Sequence, residues 1–503
     1  MKFKQLLSVL LIFSILILCT ACSSAASDTS SSTPAASDAP GDGNPPEKPD
    51  GETPDGEPPE KPDGETPDGE PPEMPDGETP DGNPPEKPDG EPGEGKPDGK
   101  GFGGSGEVTQ GSSANTISED GEYTGESYTS TGDDENALRV DGASVTLKNI
   151  TIDKSSGASS NTEDGDFYGM NAALLATNGA QLEISGAKIS SSAQNGNGVF
   201  SYGSGTVVNI SDSTITTTAD NSGGIQTTGG GETNASNLTV STAGNSSAAI
   251  RSDRGGGTVN VTGGSYTSSG YNSPAVYSTA DISVSDAELT AENSEALVIE
   301  GKNSITLEDC TVTGCMSKTN GSSSDENVHN VIIYQSMSGD ADVGTGNLSI
   351  SGGKLIGKSG DMFYITNTDA VIYLSDVDIT NEDSDAYLMR ICGNSGTRGW
   401  GEAGKNGAQA DVTADNQVLE GDILVDSISS LKLTLENSSS FTGCISTLKN
   451  SNAENSSADI SVTIGEGCTW KLTGNCTITS LDNKGLIDFN GYSITLADGS
   501  VLS

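Results

Sequence analysis

VTLKNITI, at residues 145–152, decides the fold, because the chain repeats its pattern eight more times. The later copies are LEISGAKI at Leu182, VNISDSTI at Val208, TNASNLTV at Thr233, VNVTGGSY at Val259, ISVSDAEL at Ile282, ITLEDCTV at Ile305, LSISGGKL at Leu348 and IYLSDVDI at Ile372. Apolar and polar residues alternate before and after a fixed middle position, so alternate side chains of each half face one side of a β-strand. That middle position holds Asn149, Gly186, Asp212, Asn237, Gly263, Asp286, Asp309, Gly352 and Asp376. Asn, Asp and Gly are the residues that tolerate left-handed backbone, so the same corner is turned in every copy.

Successive copies start 37, 26, 25, 26, 23, 23, 43 and 24 residues apart. A second apolar cluster precedes most units by about ten residues, as at Leu174-Leu175, Ile225, Ile250, Val298-Ile299 and Phe363-Tyr364. Each period of about 24 residues therefore holds about three short strands. Coils of this kind stack, each strand pairing in parallel with the one below, and a small inward set of Val, Ile, Leu and Ala makes one continuous core. These features resemble the right-handed parallel β-helix of the pectin-lyase-like superfamily. The resemblance covers about 136–390, and degenerate coils continue to the end. It implies an all-β solenoid, and the handedness comes from the resemblance alone. A β-sandwich is the other reading, but sandwiches seldom keep one turn residue in register through nine units.

The composition agrees with a thin core. Only 31% of the 503 residues are hydrophobic and 4% aromatic, with 66 Gly. A formal charge of -48 repels phosphate backbones and anionic lipid surfaces, which excludes nucleic acid as a partner and leaves the membrane reachable only through an anchor.

That anchor is read at the start. Lys2 and Lys4, a 13-residue apolar run from Leu6 to Leu18, and Thr20-Ala21-Cys22 make residues 1–22 a signal peptide. Small residues before a cysteine resemble a bacterial lipobox, which implies lipidation of Cys22 and a place on the outer face of a bacterial membrane; Cys19 departs from the usual Leu. Residues 23–100 read as a disordered tether. Nineteen of the twenty prolines lie between Pro34 and Pro97, and PPEKPDGETPDGE recurs every 13 residues from Pro45. Such a segment favours extended polyproline II, with an upper reach on the order of 200 Å. Residues 101–135 are expected to cap the helix, and 136–503 to form it.

Insertions on a solenoid are where function tends to be placed. The first long period contains SSGASSNTEDGDFYGMN at 155–171, with Phe167 and Tyr168, and the second contains CMSKTNGSSSDENVHN at 315–330, with the lone His329. A third irregular stretch, CGNSGTRGWGEAGKNGAQ from Cys392, sets Trp400 among glycines beside Arg398 and Lys405. A flat aromatic next to a cation suits stacking on a sugar ring or holding an acidic one. Asp133, Asp134 and Glu135, with Glu163, Asp164 and Asp166 of the first insertion, supply six hard oxygen donors of the kind calcium takes. The glycine-rich nonapeptide calcium repeat is absent from the sequence.

Catalytic motifs are few. One His confines any Ser-His-Asp or Cys-His arrangement to His329. Asp133-Asp134 is not accompanied by the His and basic residues of inverting glycosidases. Arg251, Asp253 and Arg254 read as a surface ion-pair group. Six cysteines, Cys310, Cys315, Cys392, Cys444, Cys468 and Cys476, follow Cys22; they permit fifteen disulfide connectivities, with Cys468 and Cys476 the first candidate pair, and an anaerobic habitat would leave them reduced. The favoured function is non-catalytic binding of polysaccharide or of host or envelope glycans by a surface lipoprotein, similar to the adhesin-like and carbohydrate-binding β-helix proteins of anaerobic bacteria. A lyase or hydrolase acting on acidic glycans, and a structural or protein-partner role in the envelope, are the alternatives.

Overall fold

The computed structural model describes residues 108–317 and 327–503. The expected signal peptide, Cys22, the expected tether and residues 101–107 lie outside the described residues.

The described chain is a parallel β-helix. Its two main sheets have 13 and 22 strands among the described residues. A typical coil gives one strand to the first and two to the second, as Leu174–Thr177, Gln181–Ser185 and Lys188–Ser191 do; in the coils from Gln409 on, the third strand joins a separate four-stranded sheet. Strands pair in parallel and in register with the next coil, Leu182 opposite Val208 and Ile184 opposite Ile210. The sequence therefore stacks like on like, and Val145, Leu182 and Val208 form one inward column of the core. At the usual strand spacing, thirteen coils make a rod of about 60 Å.

All nine expected corner residues have positive φ, between 49° and 67°. Gly125, Asn416 and Asn437 carry the same corner beyond the nine units, with φ of 71°, 50° and 49°. A second corner, not read from the sequence, turns at Asn195, Asn221, Ser246 and Asn272, with φ from 51° to 56°. A hydroxyl ladder supports it. Ser222 N donates to Ser247 Oγ and Ser247 N to Ser273 Oγ, both at 2.9 Å, so buried corner amides find partners one coil away.

In the described part of 101–135, expected to cap the helix, the strands Gly121–Thr124 and Ser127–Ser130 pair in parallel with Ser144–Lys148 and Thr151–Lys154 and so lie over the first regular coil. The six cysteines are all free thiols, including Cys468 and Cys476, both buried. At the far end an antiparallel strand, Val501–Leu502, pairs with Ile494–Leu496 and closes off one edge.

A groove between two insertions

The outer face of the 13-stranded sheet is covered. Its strands Leu297–Glu300, His329–Tyr334 and Asp361–Thr366 are buried at every residue, whereas Gln181–Ser185 on the other sheet alternates exposed and buried. A strand buried on both faces reads as a continuous apolar run. The runs at 172–175, 331–334 and 362–365 carried that signal, and the sequence reading took them only as core. Two small apolar clusters lie outside the main core as a result, one of Leu175 and Phe200, the other of Val298, Ile332, Tyr334 and Tyr364.

One register column runs down this face: Arg139, Leu175, Phe200, Gln226, Arg251, Tyr277, Val298, Ile332, Tyr364, Arg390. The chain has five arginines. Three stand in this column, Arg254 follows the strand Ile250–Ser252, and Arg398 lies in the loop after Met389–Ile391.

The first insertion covers one stretch of the face with the helix Thr162–Tyr168. Asn161 caps it, its side chain accepting from Glu163 N at 3.0 Å, and Gly169 ends it with φ of 80°. Glu163 and Asp164 sit in its first turn, where carboxylates suit the helix dipole. The sheet grips the helix through Gln226 Nε2 to Asp166 O at 2.5 Å and Thr228 Oγ1 to Phe167 O at 2.6 Å. Asp166 is the hub. Its carboxylate accepts from Asn195 at 2.9 Å and Asn221 at 3.4 Å, and pairs with Arg251 at 3.3 Å.

The third irregular stretch covers the next part of the face. Trp400 packs on Tyr334 with ring centroids 4.4 Å apart, and the Arg398 guanidinium lies 4.3 Å from its ring centre. Asn406 Nδ2 fixes the loop by donating to Trp400 O at 2.9 Å. Tyr334 is fixed in turn by Glu300, a carboxylate only 1% exposed that accepts from Tyr334 at 2.9 Å, from Tyr277 at 2.6 Å and from Ser336. Burial and the adjacent Glu300 charge push both tyrosine hydroxyls well above the usual range.

Between these covers lies a groove of about 250 Å3, with Asp166 on one side, Trp400 and Arg398 on the other, and Arg251 and Tyr277 among the residues lining it. Arg251 is buried between two carboxylates, Asp253 at 2.7 Å and Asp166 at 3.3 Å. Burial works against its charge, but the two carboxylates more than offset that and hold it above its ordinary value. Asp253 is pushed up to about 7, because burial and the neighbouring Asp166 and Asp340 outweigh its pairing with Arg251. The expected surface group of Arg251, Asp253 and Arg254 is thus corrected: the first two form a buried pair, while Arg254 turns to Asp340 at 2.7 Å.

The structure separates several residues that the sequence grouped. Trp400 and Arg398 line the groove. Lys405 points elsewhere, exposed and paired with Glu402 at 2.9 Å. Phe167 is 7% exposed, and Arg254 lies 4.0 Å from its ring centre, so its face is already stacked. Tyr168 meets Tyr202 edge to face at 5.6 Å. The six carboxylates of the calcium expectation do not converge. Asp133 and Asp134 accept from the Ala158 and Ser160 amides, each at 2.7 Å, Glu135 accepts from Ser130, and Asp166 belongs to Arg251. The buried Lys154 ammonium stands near Asp133, Asp134 and Glu135, donating to Ser130 Oγ at 3.2 Å and to Gly132 O. A cation is therefore already built into that end of the chain. Among the described residues no three His, Cys, Asp or Glu side chains are placed to hold a metal ion. No protein-family model matches the chain, and no curated protein matches it.

Proposed function

We propose that this protein binds glycans non-catalytically, through the groove between the helix Thr162–Tyr168 and the Trp400 loop, while held at the cell surface by lipid on Cys22. One observation carries the reading. Two insertions far apart in the sequence meet on a single sheet face and enclose a groove with Tyr277, Trp400, Arg251 and Asp166 at its walls. Concave sites lined by aromatic rings with a few fixed polar groups are the usual form of small-ligand and sugar sites. Binding rather than turnover is favoured because the charged groups at the groove are engaged with one another: Arg251 with Asp166 and Asp253, and Glu300 with three hydroxyls.

The test is an array of plant, host and microbial polysaccharides probed with the full chain, followed by a cleavage assay on any sugar bound. The chain has two tryptophans, and Trp470 is fully buried against Phe441, so a ligand-induced change in emission reports Trp400. Binding that shifts the emission, falls at least tenfold in Trp400→Ala and releases no product is the expected result. Turnover of a bound polysaccharide, or binding unchanged by Trp400→Ala, overturns the proposal.

A further inference from the structure

The charges around the groove do not favour an acidic ligand. Among the described residues its lining contains two cations, Arg251 and Arg398, and two acidic side chains, Asp166 and Glu295. Asp253 and Glu300 stand directly behind, one on Arg251 and the other on Tyr277 and Tyr334. Among the described residues four acidic side chains thus stand around two guanidinium groups, Asp253 carrying only part of its charge near neutral pH, in a chain whose formal charge is -48. Arg251, the cation at the centre of the sheet face, is 11% exposed and already shared by two carboxylates. A carboxylate arriving from solvent would have to displace one of them and leave it uncompensated, which costs several-fold more than an ordinary hydrogen bond returns.

An uncharged sugar meets no such conflict. Each of its hydroxyls both donates and accepts, so it can donate to Glu295 or Asp166 and accept from Asn221 or Asn272. Its C–H faces find the apolar surface of Tyr277, Pro274 and Trp400. A volume of about 250 Å3, open at its mouth, suits one ring of a longer chain rather than an enclosed oligosaccharide.

We infer that this groove takes an uncharged sugar unit of a glycan chain and discriminates against uronates, with Glu295 as the residue that sets the discrimination. The inference rests on the glycan-binding reading above and names the class of sugar. It is opposite to the acidic sugar that Trp400 beside Arg398 and Lys405 suggests in the sequence, and to the acidic glycans of the alternative lyase or hydrolase reading. Glu295 suits the part because it is only half-buried and among the described residues its hydrogen-bond partner is the neighbouring Ser294 hydroxyl at 2.5 Å, so changing it leaves the sheet intact.

The experiment titrates the full chain with matched pairs of oligosaccharides, glucans, xylans and mannans against the same backbones carrying carboxylates, following Trp400 emission and the heat of binding. At least one neutral series is expected to bind, with its carboxylated partner at least tenfold weaker at low salt. Glu295→Gln is expected to narrow that gap at least threefold while changing neutral binding less. Carboxylated oligomers binding as well as or better than neutral ones would overturn the inference and leave glycan binding standing. A gap unchanged in Glu295→Gln would overturn the role given to that residue. If no glycan of either charge binds, the inference falls together with the reading beneath it.

Discussion

The two large sheets of this β-helix are built from the same repeat and meet water differently. On the 22-stranded sheet the outward column through Glu183, Asn209, Asn234, Asn260, Ser283 and Thr306 is polar and lies at the surface, and its strands alternate exposed and buried. On the 13-stranded sheet the outward column carries Leu175, Phe200, Val298 and Ile332, and the two insertions cover it. The second sheet has in effect gained a small second core on its outer side, and the groove is the gap where that cover is incomplete. A regular solenoid offers a flat wall; an irregular one can enclose a ligand.

The comparison breaks most visibly if the cover is removed. Ile332→Ala is expected to cost about 2–5 kcal/mol, as a core truncation does. Thr306→Ala, at an outward position of the other sheet, should stay within about 0.5 kcal/mol. Denaturant unfolding of the two variants measures both, and equal small effects would mean that the outer cluster adds no stability.

Asp166→Ala tests how the cover is held. It removes the acceptor of Asn195 and Asn221 and one of the two partners of Arg251, and should cost about 1–3 kcal/mol, with protease cutting appearing first between 155 and 171. The corners are tested next. Asn237→Val forces a branched side chain into left-handed backbone, φ 52°, at about 1–2 kcal/mol, whereas Asn237→Gly should change stability by a few tenths.

A further test contrasts the two faces by pH. Asp253 is raised in the folded state to about 7, so the native protein holds its proton more tightly than the unfolded chain. Its contribution is therefore present below the ordinary carboxylate range of about 4 and is lost as pH rises toward 7. Asp415, on the 22-stranded sheet, is held below its ordinary value by hydrogen bonds from Tyr373 and Asn437, so its contribution is present above about pH 4 and lost as pH falls. Melting temperatures of Asp253→Asn and Asp415→Asn against the parent chain across pH 3–8 should diverge with opposite slopes. Parallel curves would refute the assigned environments.

How much of this was legible varied along the chain. The repeat showed the parallel coils and the corner at every unit, because alternation and a left-handed turn residue are local requirements that each coil must meet by itself. The second corner was missed because Ser246 occupies it in one coil and its support comes from hydroxyls one period away. Trp400 and Arg398 were read correctly as neighbours, and both line the groove. Asp166 was grouped with the wrong partners. Its nearest carboxylates in sequence suggested a cation site, while in space it meets Arg251, which the sequence placed with Arg254 instead.

The sequence by itself determined that the chain folds as stacked parallel coils, where the first corner of each falls and which segments interrupt them, since all three depend on residue type at fixed spacing. Only the tertiary structure decided which face the interruptions cover. Stacking converts separations of 25 or 85 residues into neighbouring positions, so the pairing of Asp166 with Arg251 and the alignment of Arg139, Arg251 and Arg390 in one column depend on how the coils stack. No local pattern records that stacking, because each coil's contribution to the face acquires its neighbours only after the coils below and above it are in place.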